Sequence, residues 1–75
     1  MPTAETAGHA PEVNHPQHRL AQLATYELRD YRRQLESAIA FFDSTDPVPP
    51  ARDRLRATLA AVVAEQDDRA RISHA

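Results

Sequence analysis

The chain has 75 residues and no cysteine, which limits it to one small domain and excludes disulfide staples and thiolate metal sites. Its formal net charge of −2 argues against a general affinity for nucleic acid or acidic membranes, because both require a basic surface. A single core in a chain below roughly 70–80 residues supplies only about 3–5 kcal/mol of stability, so we expect additional support from another surface.

The composition also indicates a source and a compartment. All nine basic residues are arginines and alanine is abundant, a bias typical of high-GC bacterial genomes. The first residues contain neither a basic start nor an apolar run, and no stretch reaches the roughly 20 apolar residues that span a bilayer. We therefore expect a small bacterial protein of the cytoplasm that makes no membrane contact.

Residues 1–14 form the first segment. They combine Pro2, Gly8 and Pro11 with small and polar residues, and Val13 is their only branched apolar side chain. Such a segment buries too little surface to offset its ordering entropy. We predict a disordered tail here, followed by a helical domain over residues 15–75.

Apolar residues within 20–42 predict the first helix. Leucine, alanine and aromatic side chains recur there in steps of three and four, which is the period of one helix face. Asn14 or His15 can cap the helix, and Pro16 fits its first turn, where a missing N–H costs nothing. The first helix is therefore predicted from about 16 to 43.

Three prolines within residues 44–50 predict a stiff connector, because each proline moves the residue before it out of the helical region. A second periodic stretch follows, with Leu55, Leu59 and Val62 on one face and alanine, the best helix former, over much of the rest. We predict a second helix from about 51 to 71.

The two helices are expected to pack as an antiparallel hairpin, since their connector is short. The predicted register places Leu35 against Val62 and Tyr31 against Gln66. In this register the phenol of Tyr31 hydrogen-bonds the amide of Gln66. The predicted fold class is therefore all-α, a two-helix hairpin with a disordered N-terminal tail.

Apolar side chains beside this seam exceed what one hairpin covers. A two-helix contact buries only a narrow stripe, and full burial of each large side chain is worth about 1.5–3 kcal/mol. We expect a second helical surface to cover them, either a second copy that completes a four-helix bundle as a homodimer or a helical protein partner. The predicted interaction surface consists of Leu20, Leu23, Tyr26, Ile39, Phe41, Val63 and Ile72.

Arginine clusters on both helices support an alternative function. If a dimer placed them side by side against phosphates, the protein would be a small nucleic-acid-associated regulator. Spacings of three or four, such as Asp53 with Arg56 and Asp67 with Arg71, instead predict neutralisation within each helix. A helix-turn-helix reader would also need a third helix and a tighter turn. The candidate contacts are Arg29, Arg32, Arg33, Arg52 and Arg56.

Catalytic and metal-binding patterns are weak. The histidines at 9, 15, 18 and 74 are predicted near one end of the hairpin, but ligands in a frayed segment lack neighbours that orient them. No serine or threonine has a histidine and a carboxylate at a recognisable spacing, and no glycine-rich loop is present. We predict no metal, cofactor, small-molecule substrate or enzymatic activity, and favour a non-enzymatic protein–protein interaction module, a small adaptor or regulatory protein.

Overall fold

The computed structural model describes residues 12–73, and within this range the chain is helical and contains no strand. A short 3-10 helix, Leu20–Gln22, comes first. The helix α1 spans Thr25–Asp43 and the helix α2 spans Ala51–Ser73. The two helices pack against each other, which confirms the predicted all-α hairpin.

The helix α1 begins at Thr25, later than the predicted start near residue 16. The backbone N–H of Ala24 donates to Glu27 Oε1 at 2.7 Å, which is one half of a capping box. Leu23, before this cap, and Leu28, in the following turn, are both buried in the core. They form a hydrophobic staple. These contacts fix the start of the helix and the direction from which the chain enters it.

Residues 12–24, which include the 3-10 helix, form a segment that we call the strap, along one face of the hairpin. The backbone N–H of Asn14 donates to Gln34 Oε1 at 2.6 Å, near the middle of α1. At the other end of the strap, Arg69 Nη2 donates to two carbonyls of the 3-10 helix at 3.1 and 3.2 Å. Because Arg69 lies near the end of α2, beside the start of α1, the strap runs antiparallel to α1.

The strap also contributes apolar side chains. Val13 and Leu20 are half-buried against the core, and Leu23 belongs to it. Residues 12–14 belong to the predicted tail, but in the structure they are part of the strap; residues 1–11 of that tail lie outside the described range. The hairpin therefore has a third segment packed on it, which the helical periodicity did not predict.

The core is centred on α1. Its buried side chains on that helix are Leu28, Tyr31, Leu35 and Ala38, whereas Val62 is the one fully buried side chain described on α2. Leu55 and Leu59, on the same face of α2, are only half-buried against this core. The second helix therefore leaves much of its surface outside the hairpin contact.

The connector of residues 44–50 begins where α1 ends. The hydroxyls of Ser44 and Thr45 each donate, at 2.7 Å, to a carbonyl of the last turn of α1, and the backbone N–H of the same residue donates to that carbonyl as well, so the end of the helix is closed by paired donors. Arg52 Nη1 lies 3.1 Å from Asp43 Oδ1, so one ion pair joins the two sides of the connector. None of the described helices has the length and apolar character that crossing a membrane requires.

The predicted hydrogen bond between Tyr31 and Gln66 is not formed. Arg32 Nη1 donates to Gln66 Oε1 at 2.9 Å, while the Tyr31 hydroxyl lies 3.0 Å from His15 Nδ1 of the strap. The strap thus supplies His15 as the polar partner of the Tyr31 phenol. The long side chain of Arg32 reaches across from α1 to the amide oxygen of Gln66 on α2.

Candidate interaction surface

Two residues of one predicted apolar flank, Leu20 and Leu23, belong to the strap and pack on the core. Leu23 is 5% exposed and packs with the core, and Leu20 is half-buried beside it. The prediction that Leu23 belongs to an interaction surface is therefore wrong, because the staple at the start of α1 turns this side chain inward. The chain therefore buries this part of the predicted flank with its own residues.

The opposite flank forms an open groove of about 490 Å³ between α1 and α2. Ile39, Leu59 and Val63 are half-buried in it, and no other described segment lies over them. Ala60 and Ala64 are exposed beside them. We call this groove the open face. It is lined by Ile39, Arg56, Leu59, Ala60, Val63, Ala64 and Asp67.

The remaining predicted surface residues do not line the open face. Tyr26 is 65% exposed and Ile72 is 73% exposed, and single exposed apolar side chains are common on protein surfaces. Phe41 is half-buried and packs edge-on against Phe42, with ring centroids 5.6 Å apart. The structure therefore brings together two members of the predicted set, Ile39 and Val63.

Five residues of the open face were missed by the sequence analysis. Leu59 was assigned to the seam, Ala60 and Ala64 to helix propensity, and the two charged residues to ion pairs within the helix, with Arg56 also a candidate nucleic-acid contact. The signal was present in the spacing, because these side chains recur along α2 in steps of three and four, which places them on one stripe. They are Arg56, Leu59, Ala60, Ala64 and Asp67.

Arg56 lies at one end of the open face and is exposed. The predicted pair between Arg56 and Asp53 is not formed, since Asp53 Oδ1 lies 3.4 Å from Arg52 Nε instead. Within residues 12–73, Arg56 makes no ion pair. Its guanidinium is therefore available to an acidic group on a partner.

Asp67 lies at the other end of the open face and is also exposed. Its predicted partner, Arg71, pairs with Asp68. No salt bridge involving Asp67 occurs in the described part of the chain. The open face therefore carries a cation at one end, an anion at the other and apolar side chains between them.

Three of the five arginines proposed as nucleic-acid contacts are in ion pairs. Such pairs reduce the positive potential that phosphate binding requires. Arg29 and Arg56 make no ion pair within the described residues, but they lie on different helices. The pairs are Arg32 with Glu36 at 3.0 Å, Arg33 with Asp30 at 3.6 Å and Arg52 with Asp43 at 3.1 Å.

The histidines within the described range are not grouped with other metal ligands. His15 Nδ1 contacts the Tyr31 hydroxyl, with the two rings edge to face. Desolvation by burial raises the pKa of Tyr31 above its usual value. No three histidine, aspartate or glutamate side chains among residues 12–73 are close enough to share a metal ion. His9 and His74 lie outside these residues.

A second cavity of about 490 Å³ lies between the strap and the loop end of the hairpin. Val13 and His15 line it from the strap, with Phe42 and Leu55 from the helices. Side chains of the strap and of both helices therefore line this cavity together.

Comparison with protein-family models, with curated proteins and with solved structures finds no match to this chain. Function therefore has to be inferred from the chemistry of the surface. The strap side is occupied by the chain itself, whereas the open face presents apolar side chains between two unpaired charges, as described above.

Proposed function

We propose that this protein is a cytoplasmic, non-enzymatic interaction module, a small adaptor or regulatory protein that binds a helical protein surface through its open face. The observation that carries the proposal is the groove in which Ile39, Leu59 and Val63 remain half-exposed. The strap packs on the other side of the seam, and this side is left uncovered within the described residues. An apolar groove with charged ends fits the face of an amphipathic helix.

The small side chains of α2 support helix docking. Ala60 and Ala64 are exposed along the groove, and the distance between packed helices depends on the size of the side chains at their contact. A helix that lies over these alanines can approach closely enough to contact Ile39 and Val63 together. Such a contact removes from water the apolar surface beside the seam that one hairpin leaves uncovered.

The energetic gain matters for a chain of this size. Full burial of one large apolar side chain is worth about 1.5–3 kcal/mol. The three large side chains in the groove are only half-buried, so a partner that covers them adds the remaining part of this stabilisation. The intrinsic stability expected of a chain this short is about 3–5 kcal/mol. Binding at the open face is therefore coupled to folding stability by mass action.

The nucleic-acid alternative receives no specific support. Arg32, Arg33 and Arg52 are engaged with carboxylates, and the formal net charge is −2. A phosphate-binding surface would need these groups free on one face. The open face has mixed charge and an apolar centre, which fits protein better than a phosphate backbone.

A site-specific photo-cross-linker tests this proposal. We expect a cross-linker at position 63 in the living cell to give an adduct of defined mass, and the same group at position 26 to give none. Tyr26 is the matched control, because it is apolar and exposed but lies away from the open face. Adding Ile39→Glu to the chain labelled at position 63 removes the adduct, since it places an unpaired charge in the contact.

Equal labelling from positions 63 and 26 would contradict the proposal. Circular dichroism of each variant checks that the hairpin still folds. A variant that loses the adduct while it keeps its helical signal separates loss of binding from loss of structure.

A further inference from the structure

We infer that the partner of the open face is a second copy of this chain, with the two α2 helices packed antiparallel about a twofold axis. This inference rests on the proposed function and names the partner of the same surface. It is drawn from the order of side chains along the groove, which is complementary to itself when the direction of the helix is reversed.

The apolar positions of the groove on α2 lie at equal distances on either side of the middle of that helix. Outward from that point, Ala60 corresponds to Val63, and Leu59 corresponds to Ala64. In a twofold antiparallel pair, each residue on one helix faces its counterpart on the other. Each correspondence then sets a large side chain against an alanine, so that knobs on one copy meet gaps on the other.

The charged ends follow the same symmetry. Arg56 and Asp67 are equally far from the same midpoint, about three turns apart along the helix. A twofold axis therefore sets Arg56 of each copy opposite Asp67 of the other, at both ends of the contact. A parallel arrangement would instead set Arg56 against Arg56 and Asp67 against Asp67, which is repulsive.

The unpaired state of these two residues within each chain is consistent with this arrangement. Both are exposed and make no ion pair among residues 12–73, although several other arginines and carboxylates of the helices do. Ile39 lies at the edge of the groove and adds apolar contact beside the axis. Two hairpins joined in this way form a four-helix bundle with the straps on its outer faces.

Charge reversal tests the arrangement directly. The variants Arg56→Glu and Asp67→Arg each place like charges at both ends of the dimer, so we expect each to raise the dissociation constant by at least about tenfold at low salt. An equal mixture of the two variants forms heterodimers, because each contact then joins opposite charges. The double variant Arg56→Glu/Asp67→Arg restores self-association to within about threefold of wild type, by the same reasoning.

Sedimentation equilibrium and native mass spectrometry measure these affinities and masses. Arg54→Glu is the matched control, because it makes the same change of charge on an exposed residue of α2 that does not line the open face; we expect its dissociation constant to stay within about threefold of wild type. High salt should reduce the penalty of both single variants, because it screens exposed charges.

Two results would overturn the inference. A wild-type dimer whose affinity is unchanged in both single variants would rule out this antiparallel arrangement, and a wild-type chain that is monomeric even at high concentration would rule out self-association. In the second case, a cross-link from position 63 to a protein of another mass leaves the proposed function standing. A monomer without any such cross-link overturns both.

Discussion

The two sides of the hairpin seam differ in whether another segment of the chain packs on them. On one side the strap packs Leu20 and Leu23 against the core, and Arg69 donates to two carbonyls of the 3-10 helix. On the other side Ile39 and Val63 remain half-buried in an open groove. A two-helix chain leaves surplus apolar surface on both sides of its contact, and here one side is completed within the chain. The remaining side is where association can add most.

Truncation of a leucine on each side gives the largest expected difference. Leu23→Ala should lower the free energy of unfolding by about 2–5 kcal/mol, because it empties a buried site and breaks the staple with Leu28. Leu59→Ala should cost less than half as much in dilute protein, since that side chain is only half-buried. Urea denaturation of the two variants measures both. Equal losses would mean that the open face is already covered in the monomer.

The polar attachment of the strap should contribute less. Arg69→Ala removes two hydrogen bonds to the strap and the ion pair with Glu65, from a guanidinium that is 27% exposed, and hydrogen bonds of this charged type are worth about 1.5–3 kcal/mol in net terms. Arg33→Ala is the control: its pair with Asp30 is exposed, and we expect a loss within about 0.5 kcal/mol. Thermal unfolding compares the two, and similar values would remove Arg69 as an anchor of the strap.

The hydroxyl of Tyr31 should have the smallest effect. Tyr31→Phe deletes its hydrogen bond with His15 and should cost about 0.5–1.5 kcal/mol. Burial also raises the pKa of Tyr31, so the folded chain keeps this proton at a pH where the unfolded chain has lost it. The contribution of the protonated Tyr31 phenol to the free energy of unfolding is therefore fully present below about pH 10, and it falls as pH rises above that value.

Denaturation at several alkaline pH values, with Tyr26→Phe as the exposed control, measures this effect. Tyr31→Phe should weaken the alkaline loss of stability, whereas Tyr26→Phe should leave it unchanged. The same alkaline slope in wild type and Tyr31→Phe would contradict the assignment.

The helices themselves were predictable from the sequence. Apolar spacing identified both, and the prolines of the connector placed the end of α1 at Asp43 and the start of α2 at Ala51. The start of α1 was not found, because Asn14 is a good capping residue and Pro16 suits a first helical turn, and this pattern competed with the true cap. A leucine before Ala24 and a glutamate three residues after it are the weaker signal that the structure uses.

The division into a covered side and an open side could not be predicted. Periodicity identifies which side chains flank a helix contact, but it does not show which flank a distant part of the chain will occupy. The strap is held by contacts such as Arg69 with the carbonyl of Leu20, which are far apart in sequence. Such contacts depend on tertiary structure and leave no local pattern. The self-complementary order of charges on α2 was visible, but its meaning depended on knowing that this side is open.

The position of the strap has a consequence for the order of folding. The part of its docking site that α2 supplies does not exist until α1 and α2 have met, and its anchor on Arg69 lies 49 residues along the chain from Leu20. Closure of so long a loop costs more entropy than formation of the hairpin through its short connector. The segment that a ribosome makes before either helix is therefore the last to find its place, and it packs onto a hairpin that has already formed.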